Sequence, residues 1–183
     1  MSIDLHCHTR YSDGSTPLEE LIQLAALRGV TTFALTDHDT MAGCECALGL
    51  GRGAGVTVIP GVEISAVDPK RHGKAHILCY KPKKPEVLLP LLQKTTDSRH
   101  AAMLRSVDKV CRLYAIPREM ILRRAEGSTN IYKQHVLQAL MDAYEIDMSV
   151  LEDDVLNNAS YYGRVFARRA SPTRRWIIPT SIP

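Results

Sequence analysis

His6 and His8 stand one residue apart at the end of a short apolar stretch, and Asp13 follows five residues later. In an extended strand, positions two apart project from the same face, so this spacing aims both imidazoles at one spot. Two neighbouring imidazoles make a poor surface and a costly core, but they suit a divalent metal. A chain that carries them has to end a strand at a polar centre and bring further ligands to it.

Residues 3–7 read as the first strand. Thr16-Pro17-Leu18-Glu19 has the form of a capping box with proline at the first helical position, which predicts a helix to about Arg28 that stops at Gly29. Residues 30–36 read as a second strand, 40–50 as a helix, and 56–59 as a third strand that can continue through Gly61 to Ile64. Residues 75–80 read as a fourth. Strands alternating with helices at this spacing predict βαβ units in a parallel sheet or barrel. The character then changes, and residues 86–92, 97–114, 118–124, 132–144 and 149–156 all read as helical. The expected division is an α/β part over 1–82, a helical segment over 83–160, and a basic, proline-containing stretch over 161–183.

The 183 residues are 45% hydrophobic, which suits one domain with a real core. No run approaches the length of a membrane span and no basic-then-apolar leader opens the chain, so a soluble, unexported protein is expected. Five cysteines without a paired CxxC pattern point to free thiols in a reducing cytoplasm. The net charge of +3 belongs to the last segment. No acid follows Asp154, and Arg164, Arg168, Arg169, Arg174 and Arg175 leave residues 1–154 at −2. Those arginines read either as an anionic-surface or nucleic-acid contact or as a solvated tail.

The candidate ligands fall on successive strands: His6 and His8 after the first, Asp37-His38-Asp39 after the second, Glu63 after the third and His76 on the fourth. Each has a plain reading alone. Asp13-Gly14 is a turn signal, Asp39 suits a helix N-cap, and Glu63 can be merely exposed. His72 reads as part of a solvated loop and His100 as an exposed helix residue. Together, neutral imidazole and carboxylate suit divalent Mn, Zn or Fe. A carboxylate such as Glu63 can bridge two ions. Ions about 3.5–4 Å apart lower the pKa of a bridging water and neutralise charge on a phosphoryl oxygen. Hydrolysis of a phosphate ester then becomes a matter of positioning and electrostatics.

Asp4-Leu5-His6-Cys7-His8-Thr9 with Ser12-Asp13-Gly14 resembles the first motif of the PHP family, named for its polymerase and histidinol-phosphatase members. Leu35-Thr36-Asp37-His38-Asp39 resembles the second, and Gly61-Val62-Glu63-Ile64-Ser65 and the strand with His76 resemble the next. Asn130-Ile131-Tyr132-Lys133-Gln134-His135 is similar to the insertion of small bacterial PHP phosphoesterases. The resemblance implies an α/β fold, an incomplete distorted (β/α)7 barrel with a helical insertion, and two or three divalent metals. His6, His8 and Glu63 would hold the first metal. Glu63 would bridge to a second held by His76, and Asp13 and His38 would hold a third. Glu63 and His38 are the catalytic candidates, Lys133 and His135 the phosphate contacts, and Asn130 and Tyr132 would help shape the pocket. The implied activity is metal-dependent hydrolysis of phosphate monoesters of small metabolites or nucleotides, including nucleoside bisphosphates or short oligonucleotides.

One departure stands out. No His-Pro or Asp-x-His pair follows His135, although the family pattern supplies late ligands there. The expectation is a coding sequence truncated or frame-shifted near residue 172, or missing strands supplied by another chain in an oligomer that covers exposed sheet edges. The alternative function is a catalytically impaired module that binds metal or a partner.

Overall fold

The computed structural model of the protein describes residues 2–68, 70 and 73–145. Two βα units open it: β1 (Ser2–Cys7), α1 (Leu18–Leu27), β2 (Val30–Leu35) and α2 (Cys44–Ala54). Then come β3 (Thr57–Val67), β4 (Lys74–Tyr80), α3 (Pro85–Tyr114), α4 (Arg118–Arg124) and α5 (Lys133–Ala143). The strands pair in the order β1-β2-β3-β4. The sheet curls strongly. The Tyr80 hydroxyl on β4 donates to the Leu5 carbonyl on β1 at 2.8 Å. In a flat sheet, three strand spacings would put those outer strands about 14 Å apart. This curled four-strand sheet with its helices is the incomplete α/β barrel that the sequence implies.

The structure departs from the expected all-parallel arrangement at its fourth strand. β1, β2 and β3 are parallel, but β4 runs antiparallel to β3, with seven residue pairs from Gly61–Tyr80 to Val67–Lys74. β3 is correspondingly longer than the sequence suggests and runs on to Val67. Gly61 makes this hairpin possible. A Cβ there would lie 2.7 Å from the Cys79 carbonyl oxygen and 3.2 Å from that of Leu35, so a larger residue would push both neighbouring strands away.

Helix starts differ too. Pro17 is extended (ψ 150°), so α1 begins at Leu18 without the Thr16 capping box, and the Thr16 carbonyl accepts the Arg10 N–H instead. Thr40 Oγ1 accepts the Ala42 N–H in a local turn, which delays α2 to Cys44. The two helices expected over 86–92 and 97–114 are one, because α3 runs unbroken across residues 93–96; it also tolerates Pro90 near its start, forgoing a backbone hydrogen bond there. The expected helix over 149–156 and the basic stretch from Tyr161 lie outside the described residues, as does His72.

Two apolar clusters organise the chain. Leu18 and Ile22 of α1 and Cys44 and Ala47 of α2 pack on Phe33, Leu35, Val56 and Val58. Burying a side chain such as Phe33 is worth roughly 1.5–3 kcal/mol. The second cluster, Val107, Ile116, Ile121, Ile131, Val136, Ala139 and Leu140, belongs to the helical segment. Beside the filled sheet centre, the outer strands stay open, with Ile3, Leu5 and Ile77 exposed.

Candidate metal centre

Backbone pairing aims the site. Where β2 ends, the Thr36 N–H bonds to the Cys7 carbonyl at 2.9 Å. The next residues continue the ladder toward β3. The Glu63 N–H bonds to the Asp37 carbonyl and the Asp39 N–H to the Glu63 carbonyl, which sets His38 beside Glu63. On β4, His76 lies opposite Ser65, which puts it diagonal to Glu63 on the same face of the hairpin.

The loop from β1 to α1 delivers Asp13, and Asp37 shapes that loop. The buried Asp37 carboxylate accepts the Thr9 N–H and hydroxyl, each at 2.7 Å, and the Ser12 hydroxyl at 2.6 Å. Burial raises the pKa of Asp37, against the opposing pull of these donors. The turn closes with the Ser12 and Gly14 N–H groups on the Thr9 carbonyl. A Cβ on Gly14 would sit 2.8 Å from the His8 carbonyl oxygen, so the turn closes this tightly only on glycine.

Glu63 lies at the centre. Its Oε2 is 3.0 Å from His6 Nε2, 3.0 Å from His8 Nε2 and 3.4 Å from His38 Nδ1, and its Oε1 is 2.7 Å from His76 Nδ1. Asp13 is the second carboxylate, 3.3 Å from His8 Nδ1 and 3.6 Å from His38 Nε2. His8 and His38 therefore stand between the two acids, each with one nitrogen toward either. Burial works to raise the pKa of Glu63, but the His6 hydrogen bond and the His38, His8 and His76 imidazoles outweigh it and hold the carboxyl below the usual value. Burial lowers the pKa of His38, although Asp13 and Glu63 pull it up.

This donor set fits divalent cations. Three ring nitrogens crowd one carboxylate oxygen, which has only two lone pairs to offer. His38 Nδ1 is buried and makes no hydrogen bond despite its closeness to Glu63. Three triads bring ligand atoms within 4.8 Å of one another: His6, His8 and Glu63; His8, Asp13 and His38; His38, Glu63 and His76. All six residues expected as metal ligands thus meet in one place.

The helical segment closes one side through polar contacts. Gln134 Nε2 donates to Asp13 Oδ2 at 2.7 Å, Ser128 Oγ to the Ser12 carbonyl at 2.7 Å, and Asn130 Nδ2 to the Thr96 carbonyl at 2.8 Å. The Tyr132 hydroxyl donates to the His38 carbonyl at 3.0 Å. Lys133 is exposed at the start of α5. His135 is buried, and its Nδ1 accepts the Tyr132 N–H at 3.1 Å. Neither joins the triads. Burial lowers the pKa of His135, with Asp13 opposing.

Asp39 is not the helix N-cap that the sequence suggests, since α2 starts five residues later. Its buried carboxylate accepts the Ser65 N–H at 2.8 Å, the Ser65 hydroxyl at 2.7 Å and Arg99 Nη2 at 2.7 Å. Sequence reasoning named Asp37, Asp39 and Ser65 without their supporting roles, and it did not single out Arg99 or Gln134. Arg99 and Gln134 sit on helices whose docking is long-range, and no local pattern marks them.

An α/β half-barrel with a histidine–carboxylate centre at one end defines the class of protein. The chain belongs to the PHP domain family, whose profile matches residues 4–164. It is 40% identical over 139 residues to a phosphoribosyl 1,2-cyclic phosphate 1,2-diphosphodiesterase of Eggerthella lenta, a match covering 75% of this chain and 53% of that one. It is 47% identical over 62 residues to a 5'-3' exoribonuclease of Haemophilus influenzae, covering 34% of this chain and 23% of the relative. A crystal structure from Bifidobacterium adolescentis, provisionally described as a metal-dependent phosphoesterase, superposes with a TM-score of 0.73 at 28% identity. It covers all of this chain and 60% of its own. The chain spans about half the length of the Eggerthella relative.

Proposed function

We propose that the protein is a metal-dependent phosphoesterase acting on small phosphorylated metabolites or nucleotides. The observation that carries the reading is the convergence of four imidazoles on the buried Glu63 carboxylate. His6, His8 and Glu63 would hold one cation, His76 with Glu63 a second, and Asp13 with His38 a third, the ions being Mn, Zn or Fe. When bound, such ions supply an activated water and neutralise phosphoryl charge. The protein's own part is to fix Glu63 and His38 in register through the β2–β3 ladder and to hold Asp13 through Asp37 and Gln134. Lys133, exposed at the start of α5 next to the Gln134 that holds Asp13, is a candidate contact for a substrate phosphate, as is His135. A cytoplasmic location belongs to the same reading and is supported by the free thiols. Among the described residues no helix is long and apolar enough to cross a membrane.

The test is a phosphate-release screen on chelator-stripped protein resupplied with Mn, Zn or Fe. The panel should hold nucleoside bisphosphates, short oligonucleotides and, in view of the Eggerthella relative, cyclic phosphoribosyl esters. Turnover is expected only with metal and should vanish in His6→Ala and Glu63→Ala. Activity that survives chelation would contradict the reading.

The exposed outer strands favour a second reading, in which Ile3, Leu5 and Ile77 are covered by further polypeptide in an oligomer. Sedimentation of the metal-loaded protein tests it, and a strictly monomeric active species would rule it out.

A further inference from the structure

We propose that Arg99 is a positioning residue for the candidate metal centre, a cross-link from α3 that holds His38 in its two triads. The proposal rests on reading the six-residue cluster as a metal site. Arg99 makes no hydrogen bond or ion pair with any of the six side chains. It touches what holds them. Its Nη2 donates to Asp39 Oδ2 at 2.7 Å and to Ser65 Oγ. Asp39 directly follows His38 in the chain, and Ser65 lies two residues past Glu63 on the same face of β3.

The third contact completes the link. The Arg99 guanidinium carbon lies 5.2 Å from the centroid of the Tyr132 ring. That ring in turn stacks on His38, and its hydroxyl holds the His38 carbonyl. One cation therefore meets the residue after His38, the strand that carries Glu63 and the ring that covers His38.

Two features show that Asp39 depends on this cation. Its side chain is 1% exposed, and its described ion pair is with Arg99. A buried carboxylate left without a cation is strongly destabilised. Asp39 also has φ +52°, in the left-handed region that Asp visits more readily than most residues, and Arg99 is, with Ser65 and the Glu63 carbonyl, one of the contacts that hold it there. Losing the guanidinium would release that backbone and, with it, the rotation of His38.

The consequence is selective. His38 belongs to two triads, with Asp13 and His8 and with Glu63 and His76, whereas His6, His8 and Glu63 form the third without it. Groups that hydrogen-bond metal ligands directly are typically worth about 10–100-fold in metal affinity, which is the ceiling for a support one contact further out. The experiment titrates zinc into the chelator-stripped full chain by calorimetry, for wild type, Arg99→Ala and Arg99→Lys, with urea midpoints measured alongside. Wild type should bind two or more ions. Arg99→Ala should keep one tight site and weaken the rest measurably, by no more than about 100-fold. Arg99→Lys, which keeps the charge but loses the planar fork, should fall between.

Wild-type zinc affinity at every site in folded Arg99→Ala would overturn the proposal and leave the metal-centre reading standing. So would an equal loss at all sites, which would make Arg99 a general structural residue. If Arg99→Ala does not fold, unchanged zinc binding in Arg99→Lys overturns it. A wild-type chain that binds no zinc would overturn the proposal and the metal-centre reading together.

Discussion

The Tyr132 ring lies over the His38 imidazole, with centroids 5.9 Å apart and planes 26° from parallel, while its hydroxyl donates to the His38 carbonyl at 3.0 Å. Burial raises the pKa of that hydroxyl, although Arg99 opposes it, so it stays a donor at neutral pH. Tyr132→Phe keeps the stack and loses one hydrogen bond. The expected cost is about 1 kcal/mol in urea unfolding. An unchanged midpoint would mean that the hydroxyl carries no net stabilisation.

Acid should destabilise the metal-free chain. His38 and His135 have pKa values lowered by burial below the ordinary 6.5. In the interval below 6.5 the unfolded chain therefore binds more protons than the folded one. Stability climbs with pH through that interval and levels off above it. The urea midpoint in chelator should drop between about pH 7.5 and pH 5, where unfolded histidines take up protons. Glu63, with its pKa held below 4.5, adds a further loss in stronger acid. His135→Gln should flatten the histidine part of the slope. A midpoint insensitive to pH across that range would contradict neutral buried imidazoles.

Cysteine reactivity should follow placement. Burial, reinforced by Asp4, pushes the Cys7 thiol up to about 12, whereas Cys46 is exposed on α2. Since the thiolate is the reacting form, iodoacetamide at mildly alkaline pH should label Cys46 well before Cys7 in the native protein. Mass spectrometry after timed quenching reads the order. Equal rates would place Cys7 outside the strand environment described.

Much of the site was legible because its ligands sit where short-range rules apply. The His6–His8 spacing follows from strand alternation, and His38 and Glu63 stand at or near the ends of β-branched apolar runs. The antiparallel β4 was missed although its signal was there. The ten residues between Ile64 and Ala75, with Pro69 and Gly73 among them, are short for a helical crossover, and the close approach of Gly61 to the Cys79 carbonyl across the pair is a long-range contact that no local pattern shows. Asp39 illustrates the other failure. An Asp ahead of a helix reads as a cap, but its partners, Ser65 and Arg99, are 26 and 60 residues away. α3 was read as two helices, over 86–92 and 97–114, yet it runs unbroken across residues 93–96 and carries Pro90 near its start at the cost of a single hydrogen bond, anchored by buried Leu92 and Val107.

The central claim is that Glu63 joins the histidines into one centre for divalent ions. The most direct measurement is metal content per folded chain, by plasma mass spectrometry after gel filtration in the presence of Mn or Zn, for wild type and Glu63→Ala. Two or more ions per wild-type chain, falling by at least one in Glu63→Ala with the fold intact by circular dichroism, is the predicted result. Fewer than one ion per wild-type chain, or the same content in both proteins, would contradict it.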